Sequence, residues 1–432
     1  MSWLFPRCVT VMLLLATSIS GVAQPTLLPM PKHGSEQLVN TTTPDDQWYP
    51  DVAGLQNGGY VAVWEDDSMT GGDSSGTAIR ARALDIDGNT LIPEFLVNTT
   101  TQGDQDSPSV AALNDGGFVI TWPDSSSPDG DASIRLRVYD ADGTPRTGEL
   151  LIDVAGANLR NPDVASLANG GFVVVWGDTR DFDDTGIDVR FQRFSAEGDK
   201  RGGEILANSS LVGDQRWPAV SSLSDGGFVV VWETYIQTTV SYDDQAARGQ
   251  VFNSDGTMRG PEFFANATTE HIQDDVDVAG LNNGEFIVIW THDEEPSDIH
   301  GQRFDAMGSK LGSELVINAG VVTGSQQDAS VAPFGDGGFI ATWEDYSQDS
   351  LDADSSAVFA QAYDANNIND GGVFLVNDTV IGPQAEPSVA SIVEGGFAIA
   401  WQDDSQSGGD TSGRAIRSQV FTDYIFSDRF EE

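Results

Sequence analysis

A single cysteine, Cys8, sits near the start of this 432-residue chain. A disulfide framework and a thiol nucleophile are therefore excluded from everything that follows it. Basic side chains are scarce too: 21 Lys and Arg stand against 67 Asp and Glu, a formal net charge of −46. Nucleic acid is excluded as a partner, because phosphates need a basic face and this chain repels them. There are four histidines, His33, His271, His292 and His300, with no H-x-x-x-H pair and no Cys partner, which argues against a zinc site. Beyond the N-terminus no apolar run reaches the roughly 18 residues that span a bilayer. Helical periodicity is missing from every useful window, and 47 glycines weigh further against helix. Disorder is not the alternative, since hydrophobic residues make up 39% and arrive in regular bursts.

The first stretch reads as an export signal over residues 1–23. Arg7 is its only charge, an apolar run follows from Cys8 to Ala16, and Gly21-Val22-Ala23 makes a small-x-small cleavage site. Residues 24–33 form a lead-in. The bursts that follow read NGGYVAVW, DGGFVITW, NGGFVVVW, DGGFVVVW, NGEFIVIW, DGGFIATW and EGGFAIAW, ending at Trp64, Trp122, Trp176, Trp232, Trp290, Trp343 and Trp401. A period of about 56 residues signals a solenoid, a propeller or an array. Each copy divides into four strand-like runs. The first is P-x-V-A-x-L, as in Pro50-Asp51-Val52-Ala53-Gly54-Leu55. An Asn-Gly or Asp-Gly turn (Glu394-Gly395 in the seventh copy) leads to the doubly buried F-V-x-V-W run. An alternating run follows, as in Ile134-Arg135-Leu136-Arg137-Val138-Tyr139, and then G-x-E-F-L-V-N. Four antiparallel strands per repeat make a propeller blade.

The last copy lacks its fourth strand, and the chain begins with one, Gly34-Ser35-Glu36-Gln37-Leu38-Val39-Asn40. The expectation is an all-β, seven-bladed β-propeller over residues 34–422, with 34–40 clasping blade 7 and a tail at 423–432. Closing the ring removes exposed sheet edges. The consensus DGGFVVVW, I-x-x-Q-x-F-D-x-x-G and G-x-E-F-L-V-N resembles repeats of secreted bacterial adhesin-like, calcium-associated surface proteins. That resemblance implies an extracellular, calcium-dependent role. The tail Ile425-Phe426-Ser427-Asp428-Arg429-Phe430-Glu431 resembles the I-F-x-D-G-F-E ending of secreted proteobacterial proteins, with Arg429 where that pattern has Gly.

In this topology the loops between second and third strands share a face with the blade-crossing connections, and these loops are crowded with acids. Carboxylates in such loops suit a hard cation such as Ca²⁺. The near-duplicates EDDSMTGGDSSG and QDDSQSGGDTSG nominate Asp66, Asp67 and Asp73, and Asp403, Asp404 and Asp410. The D-x-D-G turns, such as Asp85-Ile86-Asp87-Gly88, lack the distal Glu of an EF-hand and read as hairpin turns. Arg80, Arg135, Arg190, Arg248 and Arg417 recur at one register and read as ion-pair partners of the acidic loops.

Function in a ring of repeats belongs where the copies differ. The residue entering the innermost strand is Tyr49, Ser107, Asn161, Trp217, Asp275, Asp328 and Glu386 in turn, with Trp48 and Arg216 beside the aromatics. Aromatic plates next to carboxylates suit sugar rings or an organic cation. The reading is an exported, monomeric recognition module that binds a glycan or a surface protein at the acidic face. The alternative is a polysaccharide lyase or glycoside hydrolase in the same pocket, with His271, His292 or His300 as base. Gly72-Asp73-Ser74-Ser75-Gly76 matches G-x-S-x-G but lies between two strands, not at a strand–helix elbow.

Overall fold

A computed structural model describes residues 30–422 apart from short segments at 128–129, 153–156, 181–185, 211–212, 236–244, 268–270, 321–322, 336, 348–354 and 394. The export signal, most of the lead-in, the tail and Glu394 of the seventh turn lie outside the described residues. Seven four-stranded antiparallel sheets make up the chain. Blade 1 runs Gln47–Gly54, Tyr60–Asp66, Ala78–Leu84 and Thr90–Leu96. Blades 2 to 6 repeat that order. Blade 7 takes Gln384–Ile392, Gly396–Asp403 and Ala415–Thr422 from the end of the chain and Lys32–Leu38 from its beginning. This is a seven-bladed β-propeller. The clasping strand starts two residues before the expected Gly34, with Lys32 opposite Phe421 and His33 opposite Val420. Leu38 faces Arg417, and the Val39 amide donates to the Ile416 carbonyl at 2.8 Å.

The burst strands are buried throughout apart from their last residue in blades 4 and 5, Tyr235 and Asp293, and all seven repeat tryptophans have no exposed surface. The paired glycines that precede them do two different jobs. The first, Gly58 for instance, takes a φ of 90° in the hairpin turn. The second lies against the third strand: a Cβ on Gly59 would meet the Leu84 carbonyl oxygen at 2.4 Å, and one on Gly171 the Phe194 oxygen at 2.1 Å. Close packing favours glycine there in six blades, and blade 5 carries Glu285 at the same position.

Polar side chains at fixed registers hold neighbouring blades together. The Glu of G-x-E-F reaches back to the preceding blade: Glu149 accepts from the Thr99 and Thr100 amides, and Glu262 from the Ser209 and Ser210 amides. Glu36 does the same across the closure, taking the amides of Asp378 at 2.7 Å and Thr379 at 3.0 Å. The register of arginines is an ion-pair system, as the sequence suggests. Arg80 joins Asp66 and Glu94, Arg135 joins Asp124 and Glu149, and Arg417 joins Asp403 and Glu36. Among the described residues, no helix is long and apolar enough to cross a membrane.

Candidate binding site at the channel mouth

The seven residues entering the innermost strands share a backbone state that the sequence does not announce. Tyr49, Ser107, Asn161, Trp217, Asp275, Asp328 and Glu386 all have positive φ, between 39° and 51°. In each described bulge the strand register shifts at this point, as between Trp48 and Asp51. A bulge re-aims a side chain, and here it turns one residue per blade toward the axis. All seven line one cavity of about 550 Å³ at the acidic end of the channel. The sequence reading therefore gathers the right register. Tyr49 and Trp217 stand out as 43% and 55% exposed.

Two further cavities continue from this mouth. One, of about 480 Å³, shares Asn161 and Trp217 with it and adds Arg160 and Arg216. The other, of about 320 Å³, shares Tyr49, Asp328 and Glu386 and adds Trp48, Glu344, Tyr346 and Arg414. Together they form a depression running across the face from blades 3 and 4 to blades 6, 7 and 1. Trp48 stacks on Tyr49 with ring centroids 6.2 Å apart, and the Arg414 guanidinium carbon lies 3.8 Å from the Trp48 ring centre. Arg216 pairs with Asp214 and covers the Tyr235 ring at 4.9 Å.

Burial and mutual repulsion govern the carboxyls of the mouth. Burial, reinforced by the charges of Glu386 and Asp275, pushes Asp328 up to about 8. Burial with repulsion from Glu344 and Asp275 takes Glu386 to about 7. Burial raises Asp275 and Glu344 in the same direction. Deeper in the channel, Asp51, Asp163 and Asp277 also line the cavity, and here the structure decides between channel and blade. Each bridges blades: Asp51 accepts from Ser388 Oγ and the Val110 amide, Asp163 from Ser109 Oγ and the Val220 amide, and Asp277 from the Val331 amide, all at 2.7–2.8 Å. Burial raises Asp163 to about 7 and Asp277 to about 6.

The nominated calcium ligands are otherwise employed. Asp66 is held by Arg80 and Ser68, and Asp73 by the Asn98 amide at 2.8 Å. Blade 7 repeats the wiring, with Asp403 on Arg417 and Ser405, and Asp410 on Asn40. Asp67 accepts from Trp48 Nε1 at 3.4 Å, and Asp404 lies 3.6 Å from Arg414. The near-duplicate loops are thus two copies of one arginine-centred turn. Among the described residues, no group of three or more His, Cys, Asp or Glu is placed to hold a metal ion.

The histidines are brought together, but not at the mouth. His292 lies 4.7 Å from His300 and 5.5 Å from His271 between ring centres, and none of the three lines the central cavity. Their place has a structural explanation. His292 and His300 occupy the positions that Asp66 and Arg80 hold in blade 1, so an imidazole pair replaces the carboxylate–guanidinium pair. His300 keeps the link to the outer strand through Glu314, at 2.7 Å from Nδ1. The sequence reading missed Glu344 and Tyr346. The signal was present in the W-E dipeptides Trp64-Glu65, Trp232-Glu233 and Trp343-Glu344. Glu65 and Glu233 accept the amides of Ser107 and Asp275 in the next blade.

No family model and no curated protein matches the chain. Solved structures do. A protein of unknown function from Dyadobacter fermentans aligns with a TM-score of 0.57 and 10% identity, covering 92% of this chain and all of that one. An α-L-arabinanase of Penicillium chrysogenum complexed with arabinobiose aligns at 0.50 and 14%, over 90% of this chain and 98% of that one. A fungal alcohol oxidase of the AA5 family, in complex with copper, aligns at 0.52 and 11%, over 90% and 76%. At these identities the likeness establishes the shared fold.

Proposed function

We propose that this is an exported recognition protein that binds a glycan across the acidic mouth of its propeller without turning it over. The observation that carries the reading is the pair of exposed aromatic rings, Tyr49 and Trp217, standing at a register where three other blades place carboxyls. Flat apolar rings accept the C–H face of a sugar, and carboxyl oxygens accept its hydroxyls. Three adjoining cavities of about 480, 550 and 320 Å³ offer room for an oligosaccharide. In the Penicillium arabinanase a fold of this kind is complexed with arabinobiose, so a carbohydrate ligand has precedent in the architecture.

A hydrolase reading asks for a split pair of carboxyls, one protonated and one ionised. Here Asp275, Asp328, Glu344 and Glu386 are all pushed upward, so no opposite shift sets one of them apart as the ionised partner. The histidines proposed as base stand away from the cavity. A glycan array, with a reducing-end assay on every hit, tests the reading. Wild type binds without turnover, and Trp217→Ala loses binding on the order of tenfold or more, a ring-stacking loss. Turnover of any bound glycan overturns the non-catalytic assignment, and an array with no hits overturns the reading altogether.

A further inference from the structure

The cavity between blades 6, 7 and 1 has a chemistry of its own. Its walls are aromatic: Tyr49 and Tyr346 are 43% and 42% exposed, and Trp48 lies against Tyr49. Between them stand the carboxyls of Asp328, Glu344 and Glu386. Among the described lining residues the one cation is Arg414, and it is already spent on the Trp48 ring and on Asp404. Arg414 shows that this wall accepts a cation on an aromatic face. On the Tyr49–Tyr346 side the rings and carboxyls have no such occupant among those residues.

Resting on the glycan reading above, we propose that this cavity, about 320 Å³ in volume, receives the protonated amine of an amino sugar. A neutral sugar offers the carboxyls only hydroxyl donors. An ammonium offers three donors and a full charge, and it is attracted to ring faces within about 6 Å. The size lies at the lower end of ligand cavities, which run from roughly 300 Å³, and suits one sugar unit. Burial and mutual repulsion push Asp328 and Glu386 upward, only partly offset at Glu386 by Arg414, so a further cation there would relieve that repulsion. A dehydrated metal ion is the poorer fit, since no ready set of three donors exists among the described residues. The acidic face as a whole would draw a cationic glycan in from solution.

Calorimetric titration of the full-length exported protein separates the two levels of the proposal. The probes are a glucosamine hexamer, its fully N-acetylated counterpart, and spermidine. They are titrated at physiological salt from mildly acidic to neutral pH, a range over part of which both the amine and the carboxyls carry charge. The expected result is glucosamine-hexamer binding on the order of tenfold tighter than the acetylated form, as desolvated cation–π and charge contacts warrant. Glu386→Gln, Asp328→Asn and Tyr346→Ala each abolish that preference, while Asp142→Asn, which removes one charge from a distant exposed turn, preserves it. Equal binding of both hexamers overturns the amine site and leaves the glycan reading standing. A preference shared by spermidine and insensitive to the three cavity substitutions overturns it as well, because attraction to the acidic face alone then explains binding. Binding of neither hexamer overturns both. Thermal melting confirms that each variant is folded, and Glu386→Gln, nearly isosteric, decides the outcome if the others are not.

Discussion

Replacing Glu36 by alanine tests whether the ring is held shut by the side chains that the structure assigns to the closure. Glu36 accepts the amides of Asp378 and Thr379, the Thr379 hydroxyl at 2.8 Å and the Arg417 guanidinium at 2.9 Å. Its side chain is 5% exposed and that of Arg417 6%. Removing one partner of a buried ion pair costs roughly 3–5 kcal/mol, because the other charge and its donors are left behind. At about 2.1 cal/mol/K per residue, a ring of roughly 390 residues unfolds with an entropy near 0.8 kcal/mol/K. The expected fall in melting temperature is therefore about 4–6 °C. Differential scanning calorimetry reads it directly, and hydrogen exchange at the Val39 amide, bonded to Ile416 across the seam, should accelerate in parallel. Glu36→Gln, which keeps an acceptor but not the charge, should fall between alanine and wild type. An unchanged melting temperature in Glu36→Ala would refute the reasoning, since the clasp would then be held by its backbone pairing alone.

Stability should peak at mildly acidic pH. Burial raises Asp277 to about 6 and Asp163 to about 7, so their contribution is complete below the ordinary carboxylate range and is lost as pH rises through 6 to 7. Glu94 and Glu262 go the other way: burial alone would raise them, but the hydroxyls and amides of Thr41 and Thr42, and of Ser209 and Ser210, outweigh it, so their contribution is present above the ordinary glutamate range and lost as pH falls through their lowered values. A urea-midpoint profile with its maximum at about pH 5 confirms both signs, and a maximum at pH 8 contradicts them. Millimolar Ca²⁺ should leave the melting temperature where a chelator puts it, since Asp66 and Asp403 are engaged by Arg80 and Arg417; a rise of several degrees would show the loops exchanging arginine for the ion. Installing the majority pair in blade 5, His292→Asp with His300→Arg, should retain glycan binding and raise stability by about 1 kcal/mol, whereas loss of binding would return the histidines to the site.

The propeller was legible because three periodic signals agree. The seven tryptophans, the paired glycines and the G-x-E-F run each answer to a contact repeated around the ring, broken only by Glu285 for a glycine in blade 5 and Val373 for the glutamate in blade 6. Closure was legible from bookkeeping of strands at the two ends. The mouth was legible only as a register. That Tyr49 and Trp217 face the axis depends on a positive φ, and five of the seven residues precede proline, a setting that ordinarily favours extended backbone. No local propensity announces that geometry; the bulge is imposed by the sheet. The calcium expectation rested on less of the loop chemistry for a related reason. Spacing gives which acids share a loop and that arginines stand beside them, but not which acid each arginine takes or that Arg80 and Arg417 also bind the loop carbonyls of Thr70 and Ser407. Asp51, Asp163 and Asp277 were ambiguous for want of the inter-blade distance, which composition does not carry.

The left-handed register also separates what the fold needs from what a ligand needs. An L-residue with φ near 50° carries a steric penalty of roughly 1–2 kcal/mol, smallest for Asn, Asp and Gly. Blade 3 places Asn161 there, and blades 5 and 6 place Asp275 and Asp328, choices that the backbone alone would favour. Tyr49 and Trp217 are among the side chains it favours least, and Trp217 does not recover the cost by burial, being 55% exposed. An indole left more than half exposed in a strained position recovers little of that cost by burial, which is what the proposed ligand contact would explain. Trp217→Asn puts the blade 3 residue into blade 4. It should hold or raise the melting temperature, by the equivalent of about 1 kcal/mol, while glycan binding disappears. Paired melting and array measurements on the one variant read both effects. If Trp217→Asn instead loses more than about 1 kcal/mol of stability, the ring is a packing element and the mouth has lost its strongest claim to a ligand.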